Sequence, residues 1–512
     1  MTARLNYRIS NVRRPPMTSL VEHPRRLHVV DPITGESRAD HVIADEAAVG
    51  TAVQQARDAA GWWAGLDARQ RRRHLLAYKA LVASRIDELA ELIRGETGKT
   101  VAGAQLEVML AVEHLDWAAR HARRVLKRRA VPSGLLAFNQ ASSVEYVPYG
   151  VVGVIGPWNY PVYTPMGAIS HALAAGNAVV FKPSEFTPGV GVWLAQRWSE
   201  LLPDRPVLQA VTGDGTTGAA LCRAAVDKIA FTGSAATGRA VMTACAERLT
   251  PVVIEGGGKD ALIVTADADL DAAARAAVFG GLGNAGQTCA GVERVYVDRA
   301  VYEPFVAKLA ELVRQVRPGA EPDAAYGPMS TPAQPGIVLS HITDAIDRGA
   351  RAVVGDANSV RPPFVEPVLL TDVPEDSAAV TDETFGPVLV VNPVTGVDEA
   401  LRRTNATSYG LSGAIFTRHR RRGLALAARL RAGAVSVNSV LGYAGVPSLP
   451  FGGVGDSGFG RVHGADGLRE FSRPLSVTWQ RFRPPIDLMT LRPTASAMRH
   501  SLAMFKWRHG RP

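Results

Sequence analysis

Residues 251–297 begin PVVIEGGGKDALIV (251–264) and end FGGLGNAGQTCAGVERVYV (279–297). The apolar run at the start predicts a short buried strand that leads into the carboxylate of Glu255, and three glycines follow it directly. The second part carries Cys289 in the sequence Gly-Gln-Thr-Cys. The stretch therefore supplies two candidate reactive groups, a carboxylate at a strand end and a thiol in a glycine-rich segment.

The pairing of these two groups matters because a thiol attacks carbon only as the thiolate. A free cysteine is only a few per cent ionised at neutral pH, so Cys289 needs a base or a local field to act as a nucleophile. Glu255 on a glycine turn is a candidate general base with freedom to move. An isolated cysteine is more often a buried apolar residue, so a catalytic role needs support from other motifs.

Four further motifs supply that support: Pro157-Trp158-Asn159-Tyr160-Pro161, Lys182-Pro183-Ser184-Glu185, Phe231-Thr232-Gly233-Ser234 and Glu383-Thr384-Phe385-Gly386-Pro387. Together with the Glu255 and Cys289 motifs, and in the same order, they resemble the motifs of the aldehyde dehydrogenase superfamily. The resemblance spans about residues 25 to 480. One departure is Gly256, where the family usually has leucine, and this change is expected to loosen the loop that carries Glu255.

The resemblance implies the catalytic roles. Cys289 is expected to attack the aldehyde carbonyl, and the Asn159 amide and the Cys289 backbone N–H to stabilise the resulting oxyanion. After hydride leaves the thiohemiacetal, Glu255 is expected to activate the water that hydrolyses the thioester to the carboxylic acid. An asparagine in this position more often caps a helix, and only the surrounding motif favours the oxyanion role.

The resemblance also assigns a cofactor site, with no metal, to residues of four motifs: Trp158, Lys182, Ser184, Glu185, Gly233, Ser234, Glu383 and Phe385. Lys182 and Glu185 are expected at the adenosine ribose. The carboxylate of Glu185 would repel the extra phosphate of NADP, so we predict NAD rather than NADP. The loop from Gly233 would hold the pyrophosphate at a helix N-terminus, although a plain tight turn explains that loop about as well.

Alternation of apolar strands, turns and helices from Val151 onward predicts the fold class. The chain is expected to be α/β, with two doubly wound parallel-sheet domains, a Rossmann-like cofactor domain and a catalytic domain, plus a small β oligomerisation flap. Three alanine-rich helical segments are predicted before it, at 45–60, 69–96 and 102–129. The expected division is an NAD-binding domain (1–127 and 149–257), a catalytic domain (258–469), oligomerisation strands (128–148 and 470–483) and a C-terminal tail (484–512).

One motif in the helical region is misleading. Gly95-Glu-Thr-Gly98-Lys99-Thr100 resembles a phosphate-binding loop, but that loop needs glycine at the position occupied by Ile93. We therefore predict a helix C-terminus at which Gly98 ends the helix.

Composition narrows the class of protein. The 512 residues are 46% hydrophobic and 21% charged, which is typical of globular domains, and the net charge is +9. The arginine runs that cause this charge lack nucleic-acid-binding motifs, so no nucleic-acid partner is expected.

Three cysteines argue for a reducing compartment, and we predict a cytoplasmic protein. No apolar run reaches the length of a transmembrane helix. Arginines among residues 1–26 are also compatible with a transit peptide, although a disordered start is the preferred interpretation.

The expected partners are a small aldehyde and further copies of the chain, as a homodimer or homotetramer. The tail carries Leu502, Met504, Phe505 and Trp507 among basic residues. It would pack along a neighbouring subunit or make peripheral contact with a membrane, with packing preferred.

Three alternatives remain to NAD-dependent oxidation of an aldehyde to its acid. A CoA-acylating aldehyde dehydrogenase would pass the acyl group to CoA, but that branch commonly lacks the general base that Glu255 supplies. An inactive binding protein with the same fold would have lost Cys289, Glu255 or Asn159. A thiol hydrolase would need a histidine near Cys289, and the sequence has none between His171 and His341.

Overall fold

The structure is a computed structural model that describes residues 25–484, 486 and 488–510. Its helices are α1 (Glu46–Gly65), α2 (Ala68–Ser84), α3 (Ile86–Thr97), α4 (Val101–Leu126), α5 (Tyr163–Ala175), α6 (Pro188–Leu201), α7 (Gly215–Arg223), α8 (Ala235–Ala246), α9 (Leu270–Leu282), α10 (Tyr302–Gln315), α11 (Gln334–Asp347), α12 (Ala378–Thr381), α13 (Gly396–Thr404), α14 (Arg420–Ala427), α15 (Gly464–Glu470) and α16 (Ala495–His509). Its strands are β1 (Arg26–Val30), β2 (Ser37–Val42), β3 (Arg129–Val131), β4 (Gln140–Pro148), β5 (Val151–Ile155), β6 (Ala178–Lys182), β7 (Leu208–Ala210), β8 (Lys228–Thr232), β9 (Val252–Glu255), β10 (Asp260–Val264), β11 (Val292–Asp298), β12 (Arg351–Val354), β13 (Val360–Arg361), β14 (Phe364–Val365), β15 (Val368–Thr371), β16 (Val388–Val394), β17 (Ser412–Phe416), β18 (Ala434–Val437), β19 (Gly458–Phe459) and β20 (Ser472–Gln480).

The first large sheet has the strand order β19-β9-β8-β5-β6-β7. The five strands from β9 to β7 run parallel, and every residue of β5 and β6 is buried. Such continuous apolar strands are typical of a sheet covered on both faces. One hydrophobic core joins this sheet to side chains of α1 to α6. The sheet therefore brings the carboxyl ends of four motif-bearing strands to one edge.

The second large sheet has the order β12-β15-β16-β11-β10-β17-β18, and two further hydrophobic clusters lie against it. All its pairings are parallel except that of β12 with β15. The predicted α/β class with two parallel sheets is confirmed, with one correction. Each sheet carries an antiparallel strand at one edge, β12 here and β19 in the first sheet.

A third, small sheet joins distant parts of the chain. Its order is β20-β4-β3, and β4 pairs with β20 in antiparallel register from Gln140–Gln480 to Pro148–Ser472. These strands fall within the segments predicted for the oligomerisation flap. The domain boundaries and the role of the flap stay predictions.

The helical region differs from its prediction at one point. The segment 69–96 is broken at Arg85, whose φ of −116° and ψ of 29° separate α2 from α3. The predicted end at Gly98 is confirmed, because Gly98 has a left-handed φ of 73° and its N–H bonds to the carbonyl of Arg94.

The tail contains α16, on which Leu502, Phe505 and Trp507 are exposed and Ser501 is buried. No helix in the described part of the chain combines the length and apolar character that crossing a bilayer requires.

Candidate active site

Four of the predicted site residues lie at the carboxyl edge of the first sheet. Asn159 follows β5, Lys182 ends β6, Ser234 follows β8 and Glu255 ends β9. Since β5, β6, β8 and β9 are parallel neighbours, their carboxyl ends meet at one edge of the sheet. This topology gathers residues that are far apart in sequence.

Cys289 lies just after a tight turn that follows α9. Asn284 and Ala285 have φ near +55°, the left-handed region, and Gly286 has φ of 71°. A Cβ on Gly286 would lie 2.1 Å from the carbonyl oxygen of Gly386, so only glycine fits there. The turn therefore directs the partly buried Cys289 toward β9.

The thiol of Cys289 faces the carboxylate of Glu255, with 3.9 Å between Sγ and Oε1. Burial raises the pKa of Glu255 to about 7. Burial, together with the negative charges of Glu255 and Glu383, raises the pKa of the Cys289 thiol well above its ordinary value. The pair therefore contains a neutral thiol and a carboxyl group that exchanges its proton near neutral pH, which suits a general base.

The side chain of Asn159 lies beside the Cys289 turn. Its Nδ2 donates to the carbonyl oxygen of Gln287 at 2.9 Å. An amide NH2 has two donor hydrogens, so one remains for a ligand. Gln287 is itself fixed, because its Oε1 accepts from the Ser330 N–H at 2.8 Å and its Nε2 donates to the carbonyl of Asn284 at 3.0 Å. Asn159 is thus held by a fixed residue, Gln287, that lies two positions before Cys289 in the chain.

The Glu255 loop is not loose, contrary to what the Gly256 departure led us to expect. The N–H of Gly256 donates to the carbonyl of Ser457 at 3.0 Å, and the Ser457 hydroxyl donates to the carbonyl of Gly257 at 2.6 Å. A Cβ on Gly256 would lie 2.5 Å from the backbone oxygen of Asp456. The glycine therefore allows the segment just before β19 to pack against the loop, and this contact restrains it.

A buried lysine links the Glu255 loop to the second sheet. Lys259 forms a close ion pair with Glu293 and donates to Thr384 Oγ1 at 3.0 Å. Glu293 also accepts from the backbone N–H groups of Thr384 and Phe385 at 2.9 Å each. Phe385 has a left-handed φ of 50°, a strained conformation that these bonds maintain. The sequence left the role of Lys259 open, and the structure shows that it positions these residues.

Glu383 contacts the loop that carries Lys259, and Phe385 packs against Trp158. Glu383 Oε1 accepts from the Gly258 N–H at 3.0 Å, and burial raises the pKa of its carboxyl group to about 8. The rings of Trp158 and Phe385 meet edge to face with centroids 5.5 Å apart. The structure therefore places Glu383 against the Glu255 loop and brings Trp158 and Phe385, from distant motifs, into contact.

The other assigned cofactor residues form two local groups. The ammonium of buried Lys182 lies 3.3 Å from Glu185 Oε2, and the Ser184 hydroxyl lies 3.4 Å from the same oxygen. Ser234, after Gly233, caps α8 by accepting from the Thr237 N–H at 3.2 Å. Ammonium, carboxylate and hydroxyl groups suit ribose hydroxyls, and a capped helix N-terminus suits a pyrophosphate.

A cavity of about 540 Å³ reaches Cys289 and Glu255. Side chains from α4, α9 and the segment 440–463 line it, most of them apolar, including Leu106, Leu110, Phe279, Val440, Leu441, Phe451 and Val462. The arrangement places a thiol and a carboxyl group on the wall of an apolar cavity.

Lys99 and Glu107 are positioning residues that sequence reasoning missed. Lys99 Nζ lies 2.5 Å from Glu107 Oε2 and donates to the carbonyl of Asn159 at 2.8 Å. Glu107 Oε1 accepts from the N–H groups of Val162 and Tyr163 at 2.7 and 3.1 Å. This buried ion pair therefore holds the loop that carries Asn159. The scarcity of lysine was the available signal: with only eight in the chain, Lys99 stood out as a candidate for a buried role.

We expect Lys99→Met to lower the free energy of unfolding by about 3–5 kcal/mol, because Glu107 would remain buried without its partner. The midpoint of urea unfolding measures this change. Lys308→Met is the matched control, since Lys308 pairs with Asp271 at 2.6 Å on the exposed surface and should leave the midpoint unchanged. Equal midpoints for the two variants would contradict the assigned importance of the buried pair.

Comparison with known proteins identifies the class that this fold and site define. The sequence model of the aldehyde dehydrogenase family matches residues 20–477. The chain belongs to the aldehyde dehydrogenase family.

Individual relatives extend over most of the chain. The 4,4'-diapolycopene aldehyde oxidase of Methylomonas sp is 39% identical over 462 residues, which are 89% of this chain and 86% of that protein. A Mycolicibacterium smegmatis protein, provisionally named a succinate-semialdehyde dehydrogenase with NADP(+), is 37% identical over 450 residues, or 86% of each chain. The crystal structure of lactaldehyde dehydrogenase from Escherichia coli has a TM-score of 0.86 and 30% sequence identity, covering 90% of this chain and 96% of that one.

Proposed function

We propose that this chain oxidises an aldehyde to the carboxylic acid with reduction of NAD, through a covalent intermediate on Cys289. The observation that carries the proposal is the 3.9 Å approach of the Cys289 thiol to Glu255 on the wall of an apolar cavity. Membership of the aldehyde dehydrogenase family supports the reaction class.

The first half of the proposed reaction forms a carbon–sulfur bond. Glu255 takes the thiol proton and Cys289 Sγ bonds to the aldehyde carbon, so that the carbonyl oxygen becomes an oxyanion. The free amide hydrogen of Asn159 and the Cys289 N–H donate to this oxygen. NAD, when bound, would supply the acceptor for the hydride that leaves the thiohemiacetal carbon, and a thioester remains on Cys289.

The second half is hydrolysis of that thioester. Glu255 first releases the thiol proton to solvent, and it then takes a proton from water as the water oxygen bonds to the acyl carbon. The carbon–sulfur bond then breaks, the acid leaves and the thiol regains a proton. A carboxyl group with a pKa of about 7 suits both proton transfers at neutral pH.

The residues assigned to the cofactor fit a nicotinamide dinucleotide in their chemistry. Lys182, Ser184 and Glu185 would bind the adenosine ribose, and the turn at Gly233 and Ser234 would bring the pyrophosphate to the N-terminus of α8. At the other end are Trp158, Phe385 and Glu383: the carboxyl group of Glu383, with a pKa of about 8, is mostly uncharged at neutral pH. It is therefore able to donate a hydrogen bond to a ribose hydroxyl.

We predict that NAD is used about ten- to a hundredfold more efficiently than NADP. Two like charges about 4 Å apart repel by about 4 kcal/mol at an effective dielectric constant near 20. The exposure of Glu185 and the neighbouring Lys182 reduce this to roughly 1–3 kcal/mol, which corresponds to the stated ratio.

Steady-state kcat/KM with each cofactor tests this prediction. Glu185→Gln should lower the ratio of kcat/KM with NAD to kcat/KM with NADP. Glu200→Gln, at a similarly exposed carboxylate on α6, should leave this ratio unchanged. The NADP(+) in the name of the M. smegmatis relative points the other way, as does a solved E. coli NADP dependent enzyme with 30% identity and a TM-score of 0.85. Equal or greater efficiency with NADP would refute the assignment of Glu185.

We also propose that the chain forms a homodimer or homotetramer in the cytoplasm. Within the described residues, β20 has one partner strand, so its outer edge is open to another copy, with Leu475 and Trp479 exposed. The exposed apolar side chains of α16 suit packing against such a copy. A reducing compartment would keep the three free cysteines as thiols.

Sedimentation velocity at micromolar concentration tests the assembly, and a single species of twice or four times the chain mass is the expected result. Deleting residues 484–512 should weaken the assembly if the tail packs on a neighbouring copy. A monomer for the full chain would overturn the prediction.

The proposed reaction is tested by incubating the purified chain with NAD and a panel of aldehydes, without CoA. The expected result is reduced cofactor and carboxylic acid in equal amounts. Formation of product only when CoA is present would instead identify the acylating reaction.

A further inference from the structure

The charge of the substrate cavity indicates which aldehydes it admits. Among the described residues that line the cavity, Lys99 is the only one with a full positive charge at neutral pH. That charge is not available to a ligand, because Nζ is bound to Glu107 at 2.5 Å and to the Asn159 carbonyl at 2.8 Å. Glu255, on the same wall, adds partial negative charge.

The histidines of the cavity wall do not supply a cation either. His463 lines the cavity, and its ring lies tilted beside those of His114 and His171, with centroids 3.9 and 5.9 Å away. Burial, with the two neighbouring imidazoles, holds the pKa of His463 well below its ordinary value, and burial likewise lowers the pKa values of His114 and His171. The three rings are therefore uncharged at neutral pH.

Two tyrosine hydroxyls near the thiol are already engaged. The Tyr163 hydroxyl donates to the carbonyl of Ala444 at 3.3 Å, and the Tyr160 hydroxyl lies 3.1 Å from Thr288 Oγ1. Nε2 of His463 has no hydrogen-bond partner, but the uncharged ring cannot neutralise a carboxylate. A carboxylate at the far end of a substrate would thus lie among mostly apolar side chains without a cation to pair with, which is unfavourable.

The outer end of the cavity is also apolar. Leu106 of α4 and Phe279 of α9 line the cavity and are 45% and 55% exposed, so they form its rim. Met109, one helical turn beyond Leu106, is 51% exposed and extends this surface. A hydrocarbon chain that fills the cavity would continue onto this rim.

We propose that the site selects uncharged aldehydes with an extended hydrocarbon chain and rejects aldehydes that carry a distal carboxylate. This inference rests on the proposed aldehyde oxidation. The cavity removes the chain from water as it lengthens, and the absence of an unpaired cation among its described lining residues excludes the anion.

Hexanal and adipate semialdehyde are matched probes, since they have equal chain length and differ by one terminal carboxylate. We expect kcat/KM to be at least about a hundredfold higher for hexanal. From butanal to octanal, kcat/KM should rise about fourfold for each added CH2, the conversion of about 0.8 kcal/mol per buried CH2. Equal values for hexanal and adipate semialdehyde, or no dependence on chain length, would overturn the proposal.

A positive charge placed on the rim should make the cavity accept the anionic aldehyde better, which tests the proposal in the opposite direction. Leu106→Arg would supply an unpaired cation at the mouth of the cavity. It should lower the ratio of kcat/KM for hexanal to kcat/KM for adipate semialdehyde by about tenfold or more. Leu424→Arg is the control, because Leu424 on α14 is 55% exposed and lies outside the cavity lining. An unchanged preference in Leu106→Arg would contradict the assignment of this cavity to the substrate.

Direct binding separates this inference from the proposed reaction. Calorimetric titration of the Cys289→Ser variant with hexanal and with adipate semialdehyde reports the preference without turnover. Preferential binding of hexanal by a chain whose wild type oxidises neither aldehyde would refute the proposed reaction and leave the substrate class standing. Turnover of both aldehydes with equal binding would refute the substrate class alone.

Discussion

Replacing Cys289 with serine is expected to lower kcat by more than about a thousandfold while the fold and NAD binding persist. A serine hydroxyl at its ordinary pKa is far less nucleophilic than a thiolate, and Glu255, with a pKa of about 7, is too weak a base to ionise it. Steady-state turnover measures the loss, and titration with NAD checks that the cofactor site is intact.

The other two cysteines are the controls for this prediction. Cys222 and Cys245 are buried in α7 and α8, away from the cavity lining, so Cys222→Ala and Cys245→Ala should retain kcat. Turnover close to wild type in Cys289→Ser would refute the proposed nucleophile.

Replacing Glu255 with glutamine is expected to lower the steady-state rate by about a hundred- to ten-thousandfold, the range typical of losing a general base. The amide cannot accept the proton of the attacking water, so the thioester should accumulate. Acylation should slow as well, because Glu255 no longer takes the thiol proton, but hydrolysis of the thioester should slow more, so a burst of reduced cofactor followed by slower turnover is the expected time course in stopped flow. Equal losses in the burst and the steady rate would show that Glu255 is needed chiefly to activate Cys289.

The pH dependence follows from the same carboxyl group. The base must be unprotonated, so wild-type turnover should fall as pH decreases through about 7 and level off above it. In Glu255→Gln this fall in turnover near pH 7 should vanish. Its persistence would assign the titration to another group.

Much of the site could be predicted because its residues follow parallel strands. Asn159, Lys182, Ser234 and Glu255 each come after an apolar run, and parallel strands place such positions at one edge. Local pattern and turn chemistry therefore suffice to bring these motifs together.

Contacts between distant segments could not be predicted in the same way. Gly256 owes its close packing to Asp456 and Ser457, far along the chain, so the sequence alone indicated a looser loop. Lys99 and Glu107 look like surface charges in a helical region, and only the tertiary fold buries them together. The antiparallel pairing of β12 likewise depends on β15, which the sequence pattern did not reveal.

The proposed reaction depends on an acyl intermediate on Cys289, and mass spectrometry of the Glu255→Gln variant tests for this intermediate most directly. The variant is mixed with NAD and its best aldehyde substrate, quenched with acid during the slow phase and digested. The peptide containing Cys289 is expected to gain the mass of the acyl group, and only when NAD is present. An unmodified Cys289 peptide during turnover, or the acyl group on Cys222 or Cys245 instead, would contradict it.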